Sequence, residues 1–250
     1  MPGFECPASP LLAEPEGTFL VSIEADRMSP RIEVLRLAPD GVVLARGEVV
    51  VSGPLERPTG PSAVAGDFVF VATEIHLERS SVQMLRFNRG DLSPNGRSVL
   101  GPSDGRVDNP QAVTAPGGAR VLVFYVHNDD TLRCESCTSG VVMWCGDFAT
   151  IDWPGPLAGF SAAANGTDWF AFAYHKDREE PELRLHTVSS RSDPLEEPLP
   201  LLKVNDVESE EPRGDSDSAA LAWTGAGFLV VWAEQISWDI FSSFVELVRD

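Results

Sequence analysis

The feature that most constrains the fold of this chain is an internal repeat of about 50 residues. Five segments share a run of small residues, then a turn containing glycine, then an apolar stretch rich in β-branched and aromatic residues. Successive segments begin 52, 49, 51 and 57 positions apart, at Ser9, Pro61, Pro110, Ser161 and Ser218. Because five such units fill nearly all of the 250 residues, we interpret 1–250 as a single repeat domain.

Each repeat is predicted to form strands. The first strand is short and built from small residues, as in Ser161–Ala164. The second is apolar throughout, as in Phe228–Trp232, which is expected of a strand buried on both faces. The third, Arg31–Leu37 in the first repeat and Val82–Phe87 in the second, is predicted to place its polar residues on one face.

A turn and an outer strand complete the unit, for example Pro39–Gly41 followed by Val42–Val51. Four strands in a repeat of this length are typical of one blade of a β-propeller. The sequence therefore predicts an all-β fold, a five-bladed β-propeller with four-stranded antiparallel blades. No helical periodicity is sustained, and the Glu- and Pro-rich stretch Glu196–Asp217 is predicted to be a long exposed loop.

The pattern of residues 218–232, small residues followed by glycine and then Phe-Leu-Val-Val-Trp, resembles the repeat units of bacterial secreted or cell-surface β-propellers. The resemblance extends over nearly the whole chain and implies this architecture and an extracellular or cell-surface location. The 17 arginines against two lysines also fit a bacterial source with a GC-rich genome. The sequence contains no Asp box of sialidases, no Trp-Asp dipeptide that recurs from repeat to repeat and no Asp-rich calcium repeat.

The two ends of the chain leave alternatives open. The last repeat lacks an outer strand, and the N-terminal segment Gly3–Cys6 is the only candidate to complete that blade. The other interpretation is that the chain is a fragment of a larger propeller. No signal peptide is recognised, because no charged and then apolar segment opens the sequence.

The charge balance limits the classes of partner. The chain has 38 acidic and 19 basic residues and a formal net charge of −19. This argues against nucleic acid, whose phosphates need a basic surface, and against an anionic membrane surface. No apolar run approaches the length of a membrane-spanning helix, so membrane insertion is not expected. The expected partner is a protein or a carbohydrate, neutral or cationic.

The four cysteines allow three interpretations. A two-residue hairpin turn within Thr138–Val141 would place Cys134 opposite Cys145, as a cross-strand disulfide requires. Cys6 and Cys137 would then be free, and the bridge would imply an oxidising compartment. The alternatives are unpaired structural thiols and a zinc site formed by the last three cysteines with His127.

Three of the four histidines follow the second strand of their repeats: His76, His127 and His175. The corresponding positions of the first and last repeats are acidic, Glu24 or Asp26 and Glu234. Equivalent positions of a propeller lie around one end of its channel, where such side chains would form a ligand rim that binds a divalent cation or senses pH. The alternative is that strand-ending loops simply tolerate polar residues.

Trp153, Trp169 and Trp238 fall in or near turns, where they are candidate platforms for sugar rings. The alternative is packing between blades, since all six tryptophans lie between positions 144 and 238. Glycoside cleavage needs two converging carboxylates, but the predicted first strands carry no acid, and only Asp108 and Asp217 lie close to them.

No residue is assigned a catalytic role. No nucleophile elbow and no phosphate-binding glycine loop occurs in the sequence. The favoured function is non-enzymatic binding or protein interaction on a propeller scaffold. The alternative is a lectin or a glycoside-cleaving enzyme on the same fold.

Overall fold

Every secondary-structure element in the described part of the chain is a β-strand. This computed structural model describes residues 11–14, 17–24, 31–50, 63–76, 80–101, 105–115, 118–128, 131–140, 142–143, 145–152, 157–164, 169–176, 182–189, 202–203, 219–224, 226–234 and 239–246. Nowhere in these ranges does a helix offer the length and apolarity needed to cross a bilayer.

The strands form five antiparallel sheets, and in each sheet the strand order follows the chain. The first sheet contains β1 (Leu11–Glu14), β2 (Gly17–Glu24), β3 (Arg31–Leu37) and β4 (Val43–Val50). The second contains β5 (Ala63–Ala65), β6 (Phe68–His76), β7 (Ser80–Asn88) and β8 (Pro94–Leu100). The third contains β9 (Val107–Thr114), β10 (Arg120–His127), β11 (Thr131–Thr138) and β12 (Cys145–Asp152).

The fourth sheet contains β13 (Leu157–Ala164), β14 (Trp169–Lys176), β15 (Glu182–Ser189) and β16 (Leu202–Lys203). The fifth contains β17 (Ala219–Trp223), β18 (Gly227–Glu234) and β19 (Asp239–Glu246). Consecutive sheets pack against each other: the first strands β5, β9, β13 and β17 contact one another in that order, and β4 contacts β8. This all-β, antiparallel architecture without helices confirms the fold class at that level.

Two apolar clusters hold the first three sheets together. The cluster between the first and second sheets consists of buried residues from β2, β3 and β5 to β7, together with Leu92. The cluster between the second and third sheets includes Phe70, Met84, Val123 and Tyr125, each at most 2% exposed. Because a middle strand is covered by a neighbouring sheet on each side, runs such as Val121–Val126 are apolar throughout.

The prediction that Val82–Phe87 carries its polar residues on one face is wrong. Gln83 and Arg86 lie on opposite faces of β7, because their separation is an odd number of residues. Both are buried, at 5% and 3% exposure, since a sheet covers each face. Within the stretch predicted to be a long loop, residues 202–203 form β16 and pair with β15.

The predicted Cys134–Cys145 disulfide is also wrong: Cys137 is bonded to Cys145, with the two Cα atoms 4.1 Å apart. The prediction assumed a two-residue turn, whereas six residues separate the end of β11 at Thr138 from the start of β12. The longer connection shifts the register, so that Cys137 pairs with Cys145 and Cys134 with Ala149. Cys134 is a buried free thiol, and the disulfide also removes two of the sulfur ligands of the alternative zinc site.

A close approach between the first two sheets fixes one glycine. A Cβ at Gly47 of β4 would overlap the backbone carbonyl of Leu92, which follows β7. Leu92 is fully buried and has a φ of +57°, which is rare for a leucine. The side chain of Leu92 therefore fills the first cluster while its carbonyl lies on the face of β4.

Candidate functional site

Four of the predicted rim residues that fall in described strands occupy the same place in four consecutive sheets. His76, His127 and Glu234 are the last residues of β6, β10 and β18, and His175 is the penultimate residue of β14. All four pair with the beginning of the third strand: His76 with Ser80, His127 with Thr131, His175 with Leu183 and Glu234 with Asp239. We call these four residues the second-strand rim. In the first sheet Asp26 lies outside the described residues, whereas its alternative, Glu24, is the last residue of β2 and pairs with Arg31 at the start of β3.

His127 is the rim residue whose side chain is described, and it is 7% exposed. It lies over the segment that enters β9, where a Cβ on Gly105 would overlap both the His127 ring and the Asn128 side chain. Asn128 fixes this segment through two hydrogen bonds to Arg106. Its side-chain Oδ1 accepts from the Arg106 backbone N–H at 2.9 Å, and its own backbone N–H donates to the Arg106 carbonyl at 2.9 Å. The imidazole is therefore packed into the rim instead of projecting from it.

No group of three or more His, Cys, Asp or Glu side chains within the described residues is arranged to hold a metal ion. The divalent cation proposed from the sequence therefore has no assembled site in that part of the chain. The side chains of His76, His175 and Glu234 are outside the description.

The polar side chains of the first strands are used to connect sheets. Gln111 of β9 accepts the backbone N–H of Ala162 in β13 on its Oε1 at 2.8 Å. Ser161 of β13 accepts the backbone N–H of Leu221 in β17 on its Oγ at 3.1 Å. A first strand has no partner strand on its inner edge, so these bonds satisfy backbone donors that the sheets leave unpaired.

Thr114 extends the same arrangement in the other direction, because its Oγ1 donates to the Val64 carbonyl of β5 at 2.6 Å. Asp108, predicted to lie just before the first strand, is the second residue of β9 and pairs with Val126. Asp217 lies outside the described residues.

A buried acidic group that the sequence analysis missed connects the second and third sheets. Glu135 of β11 is 6% exposed, and its Oε1 accepts from the Tyr125 hydroxyl at 2.7 Å and from the Gly101 backbone amide at 2.8 Å. The sequence feature that could have revealed this residue is an acidic side chain in the middle of β11, a strand that lies between two neighbouring sheets. The Tyr125 contact lies within the third sheet and the Gly101 contact joins that sheet to the end of the second, which indicates a structural role.

Arg86 is the corresponding basic group of the second sheet. Its Nη1 donates to the Gly140 carbonyl of the third sheet at 2.5 Å, and its Nη2 donates to Asn95 Oδ1 at 2.7 Å. Its guanidinium carbon lies 4.3 Å from the centre of the Phe68 ring, within cation–π range. Burial lowers the pKa of the Arg86 guanidinium below its usual value.

Of the candidate aromatic platforms, Trp169 is the first residue of β14, and Trp153 and Trp238 lie outside the described residues. Trp223 of β17 contacts Phe228 of β18 edge to face, with ring centres 5.0 Å apart. For Trp223 this is a packing contact between paired strands.

No protein-family model matches the sequence, and no curated protein matches it. The fold is similar to that of the periplasmic gluconolactonase PpgL of Pseudomonas aeruginosa, with a TM-score of 0.58, 16% identity, and coverage of 95% of this chain and 71% of that one. It is also similar to the Aleuria aurantia lectin solved with Fucα1-6GlcNAc, with a TM-score of 0.52, 13% identity, and coverage of 94% and 74%.

A second structure of that lectin, described as a six-bladed β-propeller, gives a TM-score of 0.51 at 12% identity, with coverage of 94% and 89%. At these identities the similarities establish the fold alone. This chain has a β-propeller architecture.

Proposed function

We propose that this protein is a non-enzymatic binding module on a five-bladed β-propeller, and that the ligand contacts the end of the propeller formed by the second-strand rim. The observation that carries the proposal is the equivalent placement of His76, His127, His175 and Glu234 at the ends of second strands in four consecutive sheets. Because the sheets pack in chain order, backbone positions that are equivalent in successive sheets lie at one end of the fold.

The first strands support binding over catalysis. Gln111, Thr114 and Ser161 are polar side chains of first strands, and each is engaged with the backbone of a neighbouring sheet. A group that holds two sheets together is not available to transfer protons to a substrate. Ligand recognition is therefore assigned to the loops of the rim.

The ligand is proposed to be a protein or a carbohydrate that is neutral or cationic, since the chain carries a net charge of −19. An extracellular or periplasmic location is supported by the Cys137–Cys145 disulfide, because such bonds persist in oxidising compartments.

The alternative is a carbohydrate-active protein, a lectin or a sugar-processing enzyme. It is favoured by the fold similarity to a lectin solved with a fucosylated disaccharide and to a gluconolactonase. Under this alternative Trp153, Trp169 and Trp238 are the candidate sugar platforms.

A glycan array and a binding screen with the purified protein distinguish these functions. We expect wild-type protein to bind a ligand and the double variant His76→Ala/His175→Ala to lose most of that binding, whereas Arg97→Ala on the outer strand β8 binds as wild type. Hydrolysis of gluconolactone or of an aryl glycoside by wild type would replace the binding proposal with the enzyme. Binding that persists in the rim double variant would place the ligand elsewhere.

The divalent cation is tested separately, by calorimetric titration of the purified protein with zinc and with nickel. Heat of binding that disappears in His76→Ala would assign the cation to the rim. No heat with either metal would leave the rim as a metal-free polar surface.

A further inference from the structure

Among the described residues, β4 forms the outer edge of the first sheet. β4 is the last strand in the order of its sheet, and no described strand pairs with its outer edge. Val43, Leu44 and Val50 are 52%, 50% and 54% exposed. An exposed edge of this kind is a template for pairing with another strand.

Natural sheets usually protect such edges with proline, with charged side chains, especially lysine, or with a β-bulge. The outer strand of the second sheet, β8, contains Pro94 and Gly96 among its exposed residues. β4 has neither proline nor lysine, and its β-bulge against β3 is confined to Leu44 near its start. Its single glycine, Gly47, is required by the neighbouring Leu92 carbonyl.

The sequence of β4 is self-complementary about Gly47. In an antiparallel pair of two β4 strands with Gly47 opposite Gly47, Arg46 lies opposite Glu48 on both sides of the two-fold axis. In the same register Leu44 lies opposite Val50. We propose that β4 is a homodimer interface, in which the edge of β4 pairs antiparallel with β4 of a second copy in this register.

Charge complementarity identifies a second copy as the occupant. The chain carries a net charge of −19, but Val43–Val50 contains one arginine and one glutamate and is neutral. The Arg46 and Glu48 side chains are 63% and 35% exposed and lie 3.8 Å apart. A neutral edge that matches its own sequence in reverse allows two acidic molecules to approach at this strand.

Pairing in the plane of the sheet leaves the existing contacts of β4 in place. Ala45 and Val49 remain packed against the first apolar cluster. Glu33 and Arg31 of β3 remain on the charged face, where they pair with Arg46 and Glu48 within one chain. The dimer adds main-chain hydrogen bonds, which the edge otherwise makes to water, and buries Leu44 and Val50 of each copy.

Two complementary charge reversals test the register, by sedimentation equilibrium on the full chain. Arg46→Glu places four acidic groups at the axis, and Glu48→Arg places four basic groups there. We expect wild type to dimerise and each variant alone to weaken association by about tenfold or more. An equimolar mixture of the two variants restores two Arg–Glu pairs and should form a heterodimer close to wild type in affinity.

Two further variants keep the test independent of folding. Arg97→Glu makes the same charge change on β8 and should leave the dimer intact, while Leu44→Lys should weaken it by adding a positively charged side chain at the edge. Urea unfolding of each variant confirms that the monomer is folded. A wild-type protein that is monomeric up to about 100 µM, a dimer unaffected by both charge reversals, or a mixture that stays monomeric would each overturn the proposal.

Discussion

At Gly105 the backbone has a φ of +90°, a conformation that residues with a Cβ rarely adopt. The space above it is taken by the His127 ring and the Asn128 side chain. Asn128 itself has a φ of +54°, which asparagine tolerates better than most residues. The buried position of His127 in the second-strand rim thus depends on a residue without a side chain in the facing segment.

Replacing Gly105 by alanine should displace His127 and destabilise the protein. The positive φ alone costs about 1 kcal/mol, and moving the two packed side chains adds about 1–2 kcal/mol. Gly41→Ala is the matched control, since Gly41 has a φ of +85° and no atom lies within 4 Å of the place its Cβ would take. Urea denaturation of both variants gives the comparison. Equal losses in the free energy of unfolding would show that displacing His127 costs no stability.

The buried thiol of Cys134 should make stability fall at high pH. Burial and the neighbouring Glu135 carboxylate raise its pKa well above the usual 9.0. Above pH 9.0 the unfolded chain releases the thiol proton while the folded chain retains it, so the folded state loses about 1 kcal/mol between pH 8 and pH 10.

This loss should be absent from Cys134→Ala, and the difference between the two unfolding curves isolates the thiol from other groups that titrate in the range. In the folded wild type, Cys134 should also resist alkylation near pH 8 until denaturant is added. Rapid alkylation without denaturant would contradict the buried position.

At the scale of elements, periodicity predicted strands well and connections poorly. The apolar run Phe228–Trp232 is part of β18, and the turn Pro39–Gly41 leads into β4 as expected. The disulfide prediction failed because register depends on the length of the connection before β12, which strand periodicity does not report. Glu135 and Arg86 were missed because an isolated charge in a strand does not reveal which neighbouring sheet supplies its partner.

The Cys137–Cys145 disulfide should stabilise the third sheet by about 2–3 kcal/mol, as expected for a short closed loop. Cys137→Ser/Cys145→Ser should lose that amount in urea unfolding, whereas Cys134→Ala should retain the bond. Proteolysis after Glu135 separates Cys134 from Cys137, so non-reducing peptide mapping identifies the pair. A peptide joining Cys134 to Cys145 would contradict the structure.

The bonds between first strands should also be measurable. Gln111→Leu and Ser161→Ala leave the amides of Ala162 and Leu221 without their acceptors, which costs about 1–3 kcal/mol for each buried donor. Thr114→Ser keeps the hydroxyl that donates to Val64 and should cost less. If all three variants were as stable as the wild type in urea, the first strands would not be joined through these side chains.

At the scale of the whole molecule, the repeat predicted an all-β fold of antiparallel sheets, and in the described residues the strand order of each sheet follows the chain. The candidate site was predicted less completely. Sequence spacing located the ends of the second strands, but the inward packing of His127 depends on the segment before β9, which belongs to a different strand of the sheet.

The net charge of −19 should make stability rise with salt. Repulsion among excess carboxylates opposes the compact state, and added ions screen it. We expect the urea midpoint to increase between about 10 mM and about 200 mM sodium chloride. The increase should shrink near the sequence pI of 4.5. A midpoint that falls with salt at neutral pH would show that local ion pairs, such as Arg31–Glu48, outweigh the overall repulsion.

The chain-order topology of the sheets has a consequence for synthesis on the ribosome. Every strand pairs with the strand just before or after it, so each sheet closes only short loops and its pairing is complete once its own segment has emerged. Cys137 and Cys145 are eight positions apart, and their bond forms within one such unit. The polypeptide is therefore built to acquire structure one module at a time, from the first to the last, while its remaining length is still being translated.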